Sequence, residues 1–312
     1  RSIALSTVVT ILVPEPQRDK ANGFVGSANG VTFLAASIFS GLAVGFLGMY
    51  WILILALGMT LITIVHLSLL KITEEKTEKK ESLSESIDIR GTVKTIHHIP
   101  GLFGLIFFNT FNNFLGGVFM SLMDAYGLSL VSVEFWGILW GVLSLGFIIG
   151  GLVVAKTGLG KNPLYTLFIC NIIMWIICII FPLKASIFLL AAGMLAYMCL
   201  IPVVESAEQT ILQKLVPLER QGRVFGFAQS IEQAASPVTA FFIGPIAQFI
   251  FIPFMTTGKG VDWIGSWFGT GPDRGLGLVF LLTGVIGLIV TLLAIRSSAY
   301  RKLSENYRKT EN

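Results

Sequence analysis

Three sets of polar side chains interrupt runs that are otherwise apolar, and each set repeats at helical spacing. Asn109, Asn112, Asn113 and Gly116 fall at i, i+3, i+4 and i+7, which puts three amides on one face of a helix. Amides so arranged either bind a small molecule in a cavity or join neighbouring helices. Gln229, Glu232, Gln233 and Ser236 repeat that spacing and lead into Pro237, which lacks a backbone donor and permits bending. A carboxylate taken out of water favours its neutral form. Glu232, deep in its run, could therefore take a proton from one side of a barrier and release it to the other; a structural, hydrogen-bonded glutamate is the alternative. Glu205, Glu208 and Gln209 form a third polar face near the end of their run, where Arg220 and Arg223 could pair with the carboxylates.

Other chemistries find no support in the residues. The HExxH and GxSxG motifs are absent, so neither a zinc hydrolase nor a serine hydrolase is indicated. The run ending in Gly160-Lys161 departs from a phosphate-binding loop at Ala155 and Asn162, which removes the expected ATP site. His97 and His98 are adjacent rather than i, i+4, and Cys170, Cys178 and Cys199 form no CxxC pair, so no metal site or cofactor is expected. Asp124 and Glu134 stand at helix ends, where hydration makes them ordinary.

These side chains must be positioned by membrane-spanning helices. Of 312 residues 54% are hydrophobic and 13% charged, with a mean hydropathy of +0.79. A soluble domain carries about 25% charged residues. A bilayer core needs about 20 apolar residues per helix, and eight runs qualify: 24–47, 49–70, 100–123, 132–155, 163–182, 186–205, 224–252 and 276–296. Residues 1–13 read as the end of a ninth. The expected fold is an all-α polytopic bundle, and the absence of two-residue alternation argues against a barrel.

Lys and Arg concentrate in the loops on one side. If residues 71–99 are cytoplasmic, only Lys184, Lys259 and Arg274 of the 22 basic residues fall outside, with Arg1 undecided. Tyr50, Trp51, Tyr126, Trp136 and Trp140 then mark the outer interface, and the C-terminus is cytoplasmic. The net charge of +4 thus sets topology and carries no sign of a nucleic-acid partner.

Residues 4–46 match 207–249 without a gap at an offset of 203, with identities that include Thr7/Thr210, Pro14/Pro217, Gly23/Gly226 and Ser27/Ser230. A parallel repeat of this kind marks a two-half transporter. The chain resembles the Major Facilitator Superfamily over essentially its whole length. LVPEPQRDKANGFVGSANG looks like that family's turn between helices four and five, and LVPLERQGRVFGFAQSIEQAASP like the turn between ten and eleven. The P-x-E-R-x-G-R-V-F-G wording is similar to bacterial macrolide-efflux and siderophore-exporter branches. The resemblance implies helices five to twelve, with the first three and most of the fourth upstream of a chain that opens without Met. It divides the chain into the end of an N-terminal half (1–70), a charged cytoplasmic linker (71–99) and a six-helix C-terminal half with a cytoplasmic tail (100–312).

Gly151-Leu-Val-Val-Ala155-Lys156-Thr157-Gly158-Leu-Gly-Lys161 resembles the family's second gating motif, with Ala155 where an Asp would stand. Lys156, Arg220, Arg223, Glu205 and Glu208 are therefore candidates for a cytoplasmic gate. Asn109, Asn112, Asn113, Gln229, Gln233 and Ser236 are candidates for the substrate cavity. The expectation is a non-enzymatic secondary transporter in a bacterial plasma membrane, exporting amphiphilic small molecules in exchange for protons. A nutrient or sugar permease of the same fold is one alternative, and a transport-inactive truncated or regulatory membrane protein is another. Gly137/Gly141 and Gly146/Gly150 read as close-packing pairs. Residues 253–275 read as an insertion whose Trp263, Ile264, Trp267 and Phe268 form one apolar face, lying in the membrane interface or over the substrate exit.

Overall fold

A computed structural model of the chain describes residues 2–69 and 88–309, so residues 71–87 of the expected linker lie outside the described residues. Those described are helical almost throughout, with no strand among them. Helix α1 (Ser2–Leu12) leads through the 3₁₀ turn Glu15–Gln17 into α2 (Arg18–Leu69). After the undescribed stretch come the short α3 (Ile89–His98), then α4 (Leu102–Leu130), α5 (Val133–Thr157), α6 (Pro163–Ile180), α7 (Ile187–Leu215) and α8 (Leu218–Ile246). A π turn at Ala247–Phe251, α9 (Ile252–Thr256) and α10 (Lys259–Phe268) precede α11 (Pro272–Arg296) and the amphipathic α12 (Ser298–Lys309).

Six of these helical segments are long and apolar enough to cross a membrane: α4, α5, α6 with its 3₁₀ end, α7, α8 through α9, and α11. The runs 24–47 and 49–70 differ from expectation in being one uninterrupted helix, α2. The sequence holds no Pro, Asp or Asn between residues 31 and 70, and Gly48, the one residue between the two runs, is accommodated within the helix.

Contacts divide the chain into two compact units, Thr32–Asp88 and Arg1–Val31 with Ile89–Asn312. In the first, apolar side chains from Leu53 to Val65 are exposed around the described part of α2. A helix apolar on every side is one solvated by lipid.

In the second unit α4 packs along α8, α5 along α7, and α6 between α7 and α11, while α11 returns to α4. Lipid is as apolar as the side chains, so close approach rather than hydrophobic burial holds such helices together. Gly150 meets the Cys199 backbone of α7, and Gly117 meets Ser236 and Thr239 of α8, with no room for a side chain at either. Gly146 packs likewise on Met198, whereas Gly137 and Gly141 face open space. Only half of the expected glycine packing is therefore present.

The helix ends define a basic end, which carries the turns at Pro14 and Pro217, the α5–α6 loop and α12. Buried apolar residues gather in one cluster that includes Leu105, Phe168, Leu212, Phe225 and Tyr307, and in another that includes Tyr126, Trp136, Phe181 and Phe280.

The repeat is a repeat of structure. Pro14 has φ −55° and ψ 142°, and Pro217 has φ −55° and ψ 139°. Val13 donates to Val9 and Val216 to Leu212, both at 3.0 Å; Gln17 donates to Pro14 and Arg220 to Pro217, both at 2.9 Å. Arg18 donates to the carbonyls of Thr10 and Val13, and Gln221 to those of Gln213 and Val216, the same two acceptors shifted by 203 positions. Different side chains thus satisfy the same orphan carbonyls at a helix end.

Candidate functional site

A cavity of about 530 Å³ lies among α1, the start of α2, α4, α7 and α8. Its walls carry Glu205, Glu208 and Gln209 from α7, Gln229, Glu232 and Gln233 from α8, Asn113 from α4, and Asn22 and Asn29 from α2. Helical spacing puts Glu205, Glu208 and Gln209 on one face of α7, and Gln229, Glu232 and Gln233 on one face of α8. Because these faces meet, the Glu205–Glu208 pair of α7 and Glu232 of α8 open on one space.

Glu232 is 6% exposed, and its Oε1 has no hydrogen-bond partner. Its carboxyl neighbours that of Glu208, which has Asn109 on its other side. Asn109 is itself buried with an unpartnered Nδ2. Among the described residues no Lys or Arg lines the cavity. The arrangement can hold protons, or a cation, beside hydrogen-bonding amides.

The three asparagines of α4 part company. Asn113 lines the cavity and donates from Nδ2 to the Asn109 carbonyl at 3.1 Å. Asn112 turns toward α6, where its Oδ1 accepts the Trp175 indole N–H at 3.1 Å. Ser236 lines a second cavity of about 410 Å³, and its Oγ donates to the Met120 thioether at 3.3 Å. Asn113 borders both spaces. Lys156, exposed in the last turn of α5, and Arg220 and Arg223, in the first turns of α8, line neither cavity.

A polar network joins the two repeat copies beside the first cavity. Asn22 Nδ2 donates to Thr210 Oγ1 at 3.0 Å and to Gln213 Oε1 at 2.9 Å, and Gln213 Nε2 donates to the Ser6 carbonyl at 2.9 Å. At the rim, Asp19 Oδ2 accepts the Leu159 N–H at 2.9 Å. Ala155 is buried, and Gly23 of α2 comes up against its backbone. Sequence reasoning passed over Asp19 and Asn22 because neither is an identity in the repeat. It is their place in the repeated turn that could have drawn attention to them.

The family model described as Major Facilitator Superfamily matches residues 2–240. No curated protein matches the chain.

Proposed function

Because the chain belongs to the Major Facilitator Superfamily and is thereby an integral membrane transporter, we propose that it exports amphiphilic small molecules in exchange for protons, with Glu232 as the proton carrier. The observation that carries this reading is a buried carboxyl, with one oxygen unpartnered, facing a polar cavity beside a second carboxyl. A carboxyl in that position can exchange a proton with whichever side the cavity opens to, without a water-filled leak. Glu208 offers a second acceptor within reach.

Opening toward the basic end would part α2 from α7 at Asn22–Gln213 and from the α5–α6 loop at Asp19–Leu159. The same opening would separate the close packing of Gly23 on the Ala155 backbone, Gly26 on Pro202 and Gly30 on Phe147 and Ile148, so the gate is held by packing as well as by hydrogen bonds of about 1 kcal/mol each. The basic end is cytoplasmic in this reading because the Lys and Arg residues cluster there. Outward direction is supported by the likeness of the Pro217–Gly226 turn to drug exporters, and the membrane is then a bacterial plasma membrane. The coupling energy is a proton gradient, with no ATP consumed.

Proteoliposomes loaded with a pH-sensitive dye and given rhodamine 6G test the reading. Wild-type protein should couple dye movement to proton counterflow, and Glu232→Gln should lose the counterflow while still binding rhodamine 6G. Unchanged proton counterflow in Glu232→Gln would overturn it.

A further inference from the structure

The second cavity is chemically unlike the first. Its walls are Phe119, Trp140, Phe181 and Tyr197, the thioethers of Met120, Met123, Met194 and Met198, and one carboxylate, Asp124. Among the described residues no Lys or Arg lines it. Asp124 is fixed from one side, because the indole N–H groups of Trp136 and Trp140 both donate to its Oδ1, at 3.0 and 3.3 Å. Both bonds leave Oδ2 for something else. Trp136 is buried edge-on against Trp140 with ring centroids 5.9 Å apart, so the pair that aims the carboxylate is itself held. Phe119 stacks on Tyr197 at 6.4 Å and on Phe280 at 5.0 Å.

Each of these features favours the same class of guest. Aromatic faces attract a cation that has been stripped of water, thioethers are polarizable and mould to irregular apolar bodies, and one carboxylate supplies the counter-charge. A small hydrated metal ion would find one carboxylate and few other oxygens, which is a poor ligand set. An anion would meet Asp124 without a basic residue to offset it. We propose that this cavity binds an organic cation with an apolar body, its charge beside Asp124 and Trp140 and its body among the methionines. The site names the substrate class for the transport reading above and rests on that reading. Asn113 lines both this cavity and the proton-carrying one, so the cargo and the proton occupy adjoining spaces.

The test is binding of methyltriphenylphosphonium and of its neutral analogue triphenylphosphine oxide to purified protein, read by quenching of indole fluorescence and by calorimetry. Wild-type protein should prefer the cation by at least tenfold. Asp124→Asn retains an oxygen for the two indoles and should lose that preference, at unchanged thermal stability. Trp140→Phe should weaken the cation more than the oxide. Equal binding of both probes to wild type, no binding of either, or a preference undiminished in Asp124→Asn would overturn the site. The Glu232→Gln variant separates the two proposals: loss of proton counterflow there with no cation preference in wild type defeats this site alone. A cation preference abolished by Asp124→Asn, with proton counterflow unchanged in Glu232→Gln, defeats the carrier reading and leaves the site.

Discussion

The Asp19 carboxylate accepts the main-chain N–H of Leu159 at 2.9 Å, bringing the first turn of α2 to the loop between α5 and α6. That loop follows Ala155, the position at which the resembling motif would carry an acid. The acid arrives instead from the other side of the contact. At the N-terminus of α2 its charge also faces the favourable end of the helix dipole. Gly158, at φ 73°, turns the loop so that the Leu159 amide points outward to meet it.

Asp19→Ala should therefore loosen this loop without disturbing the spans. A half-exposed charge-assisted bond contributes about 1 kcal/mol, so hydrogen exchange at the Leu159 amide should speed up by about fivefold. Asp19→Asn keeps an acceptor and should fall between. Exchange measured by mass spectrometry on a peptide spanning 156–162 checks this, and equal rates in all three proteins would remove the contact from any gating scheme.

Two glycine pairs of one helix should respond oppositely to the same change. Gly150→Val drives a side chain into the Cys199 backbone, which cannot give way as a flexible side chain could, and should cost about 3 kcal/mol or more. Gly141→Val enters open space and should stay within about 0.5 kcal/mol of wild type. Thermal unfolding in detergent distinguishes them, and similar losses would mean that α5 and α7 are not packed this way.

The contrast between those glycines shows how far the sequence was legible. Span positions and the polar faces of α7 and α8 followed from period and composition, because the bilayer imposes both on a single helix. That Glu205 and Glu208 share one cavity with Glu232 was not legible, because it depends on the α7 and α8 faces turning toward each other. Asp124 is exposed, but its two indole donors were not legible, since they sit on the next helix and no spacing rule links them. Which of two GxxxG-like pairs packs depends on a partner helix, and that information is not local. The unbroken α2 was hidden for the opposite reason: two apolar runs in series look the same whether or not a turn divides them.

Arg274 was read as a topological exception, but it is 3% exposed and holds three carbonyls. Its Nε donates to Phe268 at 2.6 Å, and one terminal nitrogen donates to Pro182 at 2.8 Å and Leu183 at 3.1 Å, while the Phe268 ring covers the guanidinium. It thereby ties α10 to the α6–α7 loop, leaving Trp263 and Trp267 exposed and Phe268 buried rather than on one common face. Arg274→Lys keeps the charge but not the fork and should cost about 3 kcal/mol. Limited proteolysis between residues 253 and 271, faster in the variant at equal global folding, is the measurement; unchanged cleavage would show that α10 is held by other contacts.

Arg18 and Gln221 offer the sharpest test of the repeat, because they perform one task with different chemistry. Each caps the eighth- and fifth-preceding carbonyls: Thr10 and Val13 for Arg18 at 3.0 and 3.2 Å, and Gln213 and Val216 for Gln221 at 3.1 and 3.0 Å. Gln221 is 1% exposed, so truncation leaves two helix-end carbonyls shut off from water, whereas the half-exposed Arg18 is replaceable in part by solvent. Gln221→Ala should therefore lose about 2 kcal/mol and Arg18→Ala less than about 1 kcal/mol. Thermal unfolding of both variants reads the difference directly. Equal losses would mean that the two turns are solvated alike, and that the matching hydrogen bonds at an offset of 203 do not carry matching burial.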